Sequence, residues 1–122
     1  MERHLNSCPP SPNCVCSDDA SSEHNIAAFT LVVPPEKAWQ ALLAVIKETP
    51  RTRLAEASTD YLHVEFTSLV FRFVDDVEFQ LRTDQNTIAV RSASRVGYSD
   101  FGANRQRVED IRSTLRERGM VQ

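Results

Sequence analysis

Hydrophobic and polar residues alternate along residues 71–82, which predicts one long strand with a buried face and a solvent face. Two positions break the alternation: Asp75 falls on the buried face and Val74 on the solvent face. A buried carboxylate is costly unless it is hydrogen-bonded or paired with a cation. A β-bulge at residues 74–76 would instead turn Asp75 towards solvent, so the pattern leaves two alternatives open.

The polar residues 83–86 predict a turn into a second strand over residues 88–95. With a two-residue loop, apolar residues face apolar residues on one side of the hairpin, and Asp75 faces Ser94. A shift by one residue would destroy all of these matches together, so the pattern predicts this register. The other facing pairs are Leu81 with Ile88, Phe79 with Val90, Val77 with Ser92 and Glu78 with Arg91.

The rest of the chain predicts an α+β fold. The further elements are a strand at 29–33, a helix at 35–48, strands at 53–57 and 61–66, and a helix at 101–118. We therefore expect a curved antiparallel sheet of about five strands packed on a long C-terminal helix, in the order β-α-β-β-β-β-α. This order is similar to TATA-binding-protein-like and helix-grip folds, a resemblance that says little about function.

Length and charge narrow the possible classes of protein. The chain has 122 residues, enough for one core, and a formal net charge of −3, which argues against a general nucleic-acid binder. No apolar run reaches the length of a membrane span, and no signal peptide is visible. We expect a cytoplasmic protein if the chain is complete, and an exported or membrane-associated protein if an N-terminal segment was removed.

Residues 1–25 are rich in Pro, Ser, Asp and Asn, which predicts an irregular N-terminal arm ahead of a single domain at 26–122. The arm holds all three cysteines, Cys8, Cys14 and Cys16. Three interpretations stay open: free thiols in the cytosol, a disulfide between the first two in an oxidising compartment, or a soft-metal site. The spacing lacks the Cys-x-x-Cys pair of structural zinc sites.

A set of polar residues should converge where the hairpin ends and the last helix begins. Backbone N–H groups at the start of a helix favour an anion, and Arg95 and Arg105 could clamp a carboxylate or phosphate. The same residues could instead form an internal network in which Asp75 accepts hydrogen bonds from Ser94 and from Arg95 or Arg105. The candidate ligand-binding residues are Asp75, Ser94, Arg95, Tyr98, Asp100, Asn104 and Arg105.

Several motifs resemble the bacterial and plastid domain of unknown function family 1499 (DUF1499), and the resemblance covers nearly the whole chain. The family has no assigned function. Its N-terminal motif contains two cysteines that match Cys8 and Cys14, whereas Cys16 stands where a serine is more usual. Similar members often follow an export or membrane segment, which would favour a disulfide. The motifs lie at residues 8–15, 50–52, 61–65, 71–78 and 91–105.

These observations leave several functions open. The first is a small soluble domain that binds a polar or anionic small ligand, and a second is a purely structural or protein-binding module. A metal-binding or redox role of the cysteine-rich arm is the alternative. Asp75 or Asp76 could serve as a base in an enzyme, but no recognisable catalytic motif accompanies them. No cofactor or specific partner can be named from the sequence.

Overall fold

The structure is a computed structural model that describes residues 5–122. It is an α+β fold with an antiparallel sheet and a C-terminal helix, as predicted, but with six strands where about five were expected. The elements are β1 (Cys14–Cys16), β2 (Phe29–Thr30), α1 (Pro35–Glu48), β3 (Thr52–Ala57), β4 (Tyr61–Thr67), β5 (Val74–Arg82), β6 (Thr87–Ser94) and α2 (Ala103–Glu117).

The strands lie in the order β1-β6-β5-β4-β3, and every pair is antiparallel. Strand β2 also pairs with β6, beyond β1 along the same edge. The predicted hairpin register is confirmed: β5 and β6 pair without interruption from Arg82 opposite Thr87 to Asp75 opposite Ser94. No bulge interrupts β5, so Asp75 lies on the inner face of the sheet.

The predicted strand at residues 71–82 begins three residues later than expected. The Phe73 N–H donates to Ser68 Oγ, and the Ser68 N–H donates to the Phe73 carbonyl, which closes a turn over 68–73. Arg72 has a φ of 60°, which a strand cannot contain. Phe71 and Phe73 are therefore exposed, and the prediction that they lie on the buried face is wrong.

The C-terminal helix begins at Ala103, two residues later than predicted. Phe101 was expected to be the first residue of this helix, but it precedes the helix with a φ of 54°, and its side chain is 98% exposed. The loop is fixed instead by the Asp100 carboxylate, which accepts hydrogen bonds from the N–H groups of Gly102 and Asn104. The helix buries an apolar stripe that includes Val108, Ile111 and Leu115.

The main core lies between the inner face of the sheet and the two helices. Helix α1 has the predicted bounds, because Pro35 is tolerated in the first turn. Its buried stripe includes Trp39, Leu42 and Ile46, which belong to the core. The predicted strand at 29–33 is reduced to β2. Within residues 5–122, no helix is long and apolar enough to cross a lipid bilayer.

The N-terminal arm is more ordered than its composition suggested. Residues 14–16 form β1, which pairs with β6, so the expectation of an irregular arm is wrong there. Without β1, this part of β6 would be an edge of the sheet with unpaired backbone N–H and C=O groups; β1 pairs with those groups. The arm then covers part of the outer face of the sheet, where Leu5, Cys8 and Cys16 pack with Tyr61 and Ala89. The domain boundary at residue 26 stays a prediction.

Candidate functional site

Asn104, in the first turn of α2, is the centre of a hydrogen-bond network that we call the inner polar cluster. Its side chain is fully buried. Its Oδ1 accepts hydrogen bonds from Ser92 Oγ at 2.6 Å and from Arg107 Nη1 at 2.7 Å. Because Ser92 lies in β6, these contacts join the helix to the sheet. The cluster comprises Asn13, Asp75, Ser92, Ser94, Asp100, Asn104 and Arg107.

The Nδ2 group of Asn104 binds the rest of the cluster. It donates to Asp100 Oδ2 at 2.7 Å, to Ser94 Oγ at 2.9 Å and to the Asn13 carbonyl at 3.1 Å. The Asn13 side chain in turn donates to the Gly97 carbonyl at 2.8 Å. One buried amide therefore ties the N-terminal arm, β6, the following loop and α2 together.

Asp75 is paired with Arg107, which the sequence interpretation did not name. Arg107 Nη2 donates to Asp75 Oδ2 at 2.7 Å, and Nη1 donates to Ser92 Oγ at 3.1 Å. The same guanidinium lies over the Phe66 ring, 4.9 Å from its centroid, in cation–π geometry. The expected partners of Asp75, which were Ser94 with Arg95 or Arg105, are not its hydrogen-bond partners.

Asp100 contributes a negative charge at the start of α2. Burial of the carboxylate raises its pKa, but hydrogen bonds from the Asn104 backbone, the Asn104 side chain and the Gly102 N–H outweigh that effect, so the pKa is lowered. An anion at the positive end of a helix is favourable. Asp100 lies two residues before the N-cap residue Gly102, and its carboxylate accepts the Asn104 N–H in the first turn of the helix.

Arg95 belongs to a second group of charges on the outer face of the sheet, which we call the outer charge chain. Its guanidinium donates to both Asp76 carboxylate oxygens, at 2.7 and 2.8 Å, and to Glu65 at 2.8 Å. His63 Nε2 lies 2.7 Å from Asp76. Arg53 donates to both Glu65 oxygens, at 3.0 Å each, and shares Oε2 with Arg95.

The outer charge chain shifts the acidity of its members. Hydrogen bonds from Arg53 and Arg95 lower the pKa of Glu65 to about 2. A hydrogen bond from Arg95 is also the main reason that the pKa of Asp76 is lowered. Asp76 and Glu65 in turn raise the pKa of Arg95. Because the pKa of each carboxyl group is lowered, both are weaker bases than ordinary carboxylates, which makes them poor candidates for a general base.

The seven predicted site residues do not form one site. Four of them belong to the inner polar cluster, in which Asp75 is joined to Asn104 through Arg107; these four are Asp75, Ser94, Asp100 and Asn104. Arg105 donates to the carbonyls of Glu23 and Asn25, so it fastens the arm to α2 and does not act with Arg95. The Tyr98 side chain is exposed. Arg95 and Arg105 bind different partners, which argues against the predicted anion clamp between them.

Sequence reasoning missed Arg107, although a signal was present. Residues three apart on a helix are neighbours, and Arg107 follows Asn104 by three. Once Asp75 is placed on the inner face, the covering helix must supply a cation to it. Ser92 was predicted to face Val77 on that same inner face, but its partner on the helix could not be read from the pattern.

A cleft of about 510 Å³ opens beside the inner polar cluster, between the end of α1, the connection from α1 to β3, the end of β4 and one face of α2. Its volume falls within the range of small-molecule sites. Arg107 belongs to both, because it lines the cleft and binds Asp75. The lining residues are Val45, Thr49, Pro50, Arg51, Phe66, Thr67, Ser68, Ala103, Gln106, Arg107, Asp110, Ile111 and Thr114.

The cysteines form a disulfide between Cys8 and Cys14, one of the three alternatives that the spacing left open. Cys16 is a buried free thiol, and burial raises its pKa. Over the part of the chain that the structure describes, no three His, Cys, Asp or Glu side chains form a group that could hold a metal ion. The metal-site and redox interpretations of the arm thus gain no support; His4 lies outside the described residues.

Comparison with known proteins agrees with the sequence resemblance. The model of one family, described as "Protein of unknown function (DUF1499)", matches residues 4–115. No curated protein and no solved structure matches the chain. The family match spans most of the sequence, including β1, the hairpin and nearly all of α2. The chain therefore belongs to the DUF1499 family.

Proposed function

We propose that this protein binds a small amphiphilic molecule, with a polar or anionic head, in the cleft between α1, β4 and α2. The observation that carries the proposal is the composition of the cleft wall. Val45, Phe66 and Ile111 form an apolar part, while threonines, arginines and an aspartate surround it. Ligand sites commonly combine an apolar wall with a few converging polar groups.

The head of the ligand is assigned to the arginines. Arg107 uses Nη1 and Nη2 in the inner polar cluster, and its Nε makes no hydrogen bond to any residue among 5–122. Arg51 is exposed and likewise unpaired within that range. Asp110, whose carboxylate accepts a hydrogen bond from Gln106, sits lower on α2 and would disfavour an anion there. The head therefore lies towards the start of α2, near the sheet.

The first experiment compares decanoate with decanol by isothermal titration calorimetry on the full chain. We expect both to bind, and decanoate to bind more tightly, because only decanoate offers a carboxylate to the arginines. Arg51→Gln should weaken decanoate binding and leave decanol binding unchanged. Arg116→Gln, which removes an exposed arginine outside the cleft, is the matched control and should change neither.

A second variant tests the location of the ligand. Thr114→Trp places an indole in the cleft and should reduce the affinity for both ligands by at least about tenfold, or about 1.4 kcal/mol. Ser113→Trp adds the same side chain to the neighbouring exposed position and should leave binding intact. Equal binding by the wild type and Thr114→Trp, or no binding of either ligand by the wild type, would refute the proposal.

We also infer that the protein works in an oxidising compartment. The support is the disulfide between Cys8 and Cys14, since disulfides persist mainly outside the reducing cytosol. Unreduced protein isolated from its own host should have a mass two hydrogens below that of the reduced chain. A mass equal to that of the fully reduced chain would contradict the inference.

A further inference from the structure

Two loops leave the same end of the sheet and expose large apolar side chains. The first spans residues 68–73, between β4 and β5, and the second spans 95–102, between β6 and α2. They are neighbours, because the Arg95 N–H donates to the Val74 carbonyl at 3.2 Å. We call their exposed apolar side chains the apolar tip, which consists of Leu69, Val70, Phe71, Phe73, Val96, Tyr98 and Phe101.

The tip is convex. Each of its seven side chains exposes more than half of its surface, from 53% at Phe73 to 98% at Phe101. Side chains in a groove would be covered by the walls of that groove. The rings of Phe71 and Phe73 stack on one another, with centroids 5.6 Å apart, and present their outer surface to the surroundings. Large exposed apolar side chains gathered on two neighbouring loops are typical of an interaction site.

The backbone at the tip is held in a conformation that its residues do not favour. Phe101 and Arg72 have φ values of 54° and 60°, in the left-handed region, where side chains with a Cβ are strained. Phe101 gains no burial in return. Burial of the Phe101 ring against a surface outside the chain would explain both the strained backbone and the exposed side chain.

The charge at the tip is positive. Arg72 lies in the first loop, and Arg51 lies beside it, since the Thr67 N–H donates to the Arg51 carbonyl. Both side chains are exposed, and neither forms an ion pair with a residue among 5–122. Asp100, the acid of the two loops, keeps its negative charge while it accepts hydrogen bonds from Gly102 and Asn104, but the two arginines outnumber it. The surroundings of the apolar side chains therefore complement a negative surface.

We propose that the apolar tip docks on a lipid bilayer that contains anionic headgroups. A fluid bilayer accepts convex apolar side chains without a matching cavity, whereas a protein partner would need one. Aromatic side chains favour the interface between headgroups and acyl chains, and arginines beside them are attracted to anionic lipid. Docking places the mouth of the cleft close to the bilayer, because Ser68 and Ala103 line the cleft at the ends of the two loops.

Vesicle sedimentation with the full chain tests the proposal. We expect binding to vesicles of phosphatidylcholine mixed with phosphatidylglycerol, and weaker binding to phosphatidylcholine alone. The double variant Phe71→Ser with Phe101→Ser lacks one ring from each loop. Its partition coefficient on the anionic vesicles should be at least about tenfold lower than that of the wild type. Val32→Ser, at an exposed apolar residue outside the tip, is the matched control and should bind like the wild type.

The electrostatic part is tested separately. Arg72→Gln should lower the partition coefficient on anionic vesicles about fivefold and leave that on phosphatidylcholine unchanged, and added salt should reduce the difference. Thr114→Trp should bind vesicles normally, so failure of the cleft proposal and failure of this one are distinguishable.

Circular dichroism melting checks that the variants remain folded. Absence of wild-type binding to both kinds of vesicle would overturn the proposal. So would wild-type binding by the double phenylalanine variant. Self-association of the wild type that the same double substitution abolishes, without vesicle binding, would assign the tip to a second copy of the chain.

Discussion

Asp75 and Asp76 are neighbours in β5, yet their side chains lie on opposite faces of the sheet and have different partners. Asp75 points to the inner face, where its side chain is 13% exposed and pairs with Arg107. Asp76 points to the outer face, where its side chain is 26% exposed and pairs with Arg95 and His63. Alternation along a strand is the whole cause of this difference.

The comparison shows that the number of hydrogen bonds a residue makes does not determine its contribution to the free energy of unfolding. The outer charge chain is long, but water and salt screen ion pairs near the surface, and such pairs contribute little. In the inner polar cluster, each partner that is removed leaves a buried group without a hydrogen bond, which is the more costly event. The two regions should therefore respond differently to mutation, pH and salt.

The largest effect should follow from Asn104→Ala. The change leaves the partners of a fully buried amide, on the arm, β6 and α2, without their hydrogen bonds, and should lower the free energy of unfolding by about 4 kcal/mol. Urea unfolding monitored by Trp39 fluorescence would measure it. Gln106→Ala, two residues along the same helix at an exposed position, should change stability little. Equal effects of the two changes would contradict the structural role of Asn104.

Asp75→Ala should have the next largest effect, a loss of about 3 kcal/mol, because it strands the Arg107 guanidinium near the core. The double variant Asp75→Ala with Arg107→Met should lose less stability than the two single variants lose in sum, because neither charge is then left without its partner. A double-mutant cycle by urea unfolding measures this coupling. Additive effects would show that the two side chains do not interact.

Asp76→Ala should cost less than about 1 kcal/mol, in spite of its three hydrogen bonds, because its partners return to solvent. The loss should shrink further in high salt, whereas the loss from Asp75→Ala should not. Parallel unfolding curves at low and high ionic strength provide the measurement. A loss from Asp76→Ala that equals that from Asp75→Ala would remove the distinction between the two faces.

The smallest effect concerns pH. The folded-state pKa of Glu65 is lowered to about 2 from an ordinary value of 4.5, so the unfolded chain binds its proton first as the pH falls. The stabilisation by Glu65 is therefore complete above its unfolded pKa and is lost as the pH falls from about 4.5 to about 2. Glu65→Gln should flatten the acid limb of stability against pH in thermal unfolding scans. An unchanged acid limb would exclude this contribution.

Alternation and turn chemistry predicted the sheet well, because β5 and β6 bury one face continuously and a shifted register would expose it. They failed at Phe71 and Phe101, where an apolar residue was assumed to be buried and instead lies on an exposed loop. The N-terminal arm was expected to be irregular because it has few apolar residues, yet residues 14–16 form β1. Its strand is three residues long, and the partner edge of β6 that orders it is distant in sequence.

The candidate site was harder to predict than the fold. Asp75 was correctly placed on the inner face, but side chains such as Arg95 and Arg107 reach several ångströms from their backbone. Whether Arg107 meets Asp75 depends on the rotation of α2 over the sheet, and no periodicity encodes that angle. The cleft depends on the same angle and on the end of α1, so it had no sequence signature.

Strand β1 has a consequence for disulfide shuffling. Cys14 and Cys16 stand two residues apart on one face, so both sulfurs can approach Cys8 while the chain is unfolded. Once β1 pairs with β6, burial raises the pKa of Cys16 and keeps its thiol protonated, which makes it a poor attacking group. Docking of this short strand therefore protects the disulfide between Cys8 and Cys14 from exchange with the thiol beside it.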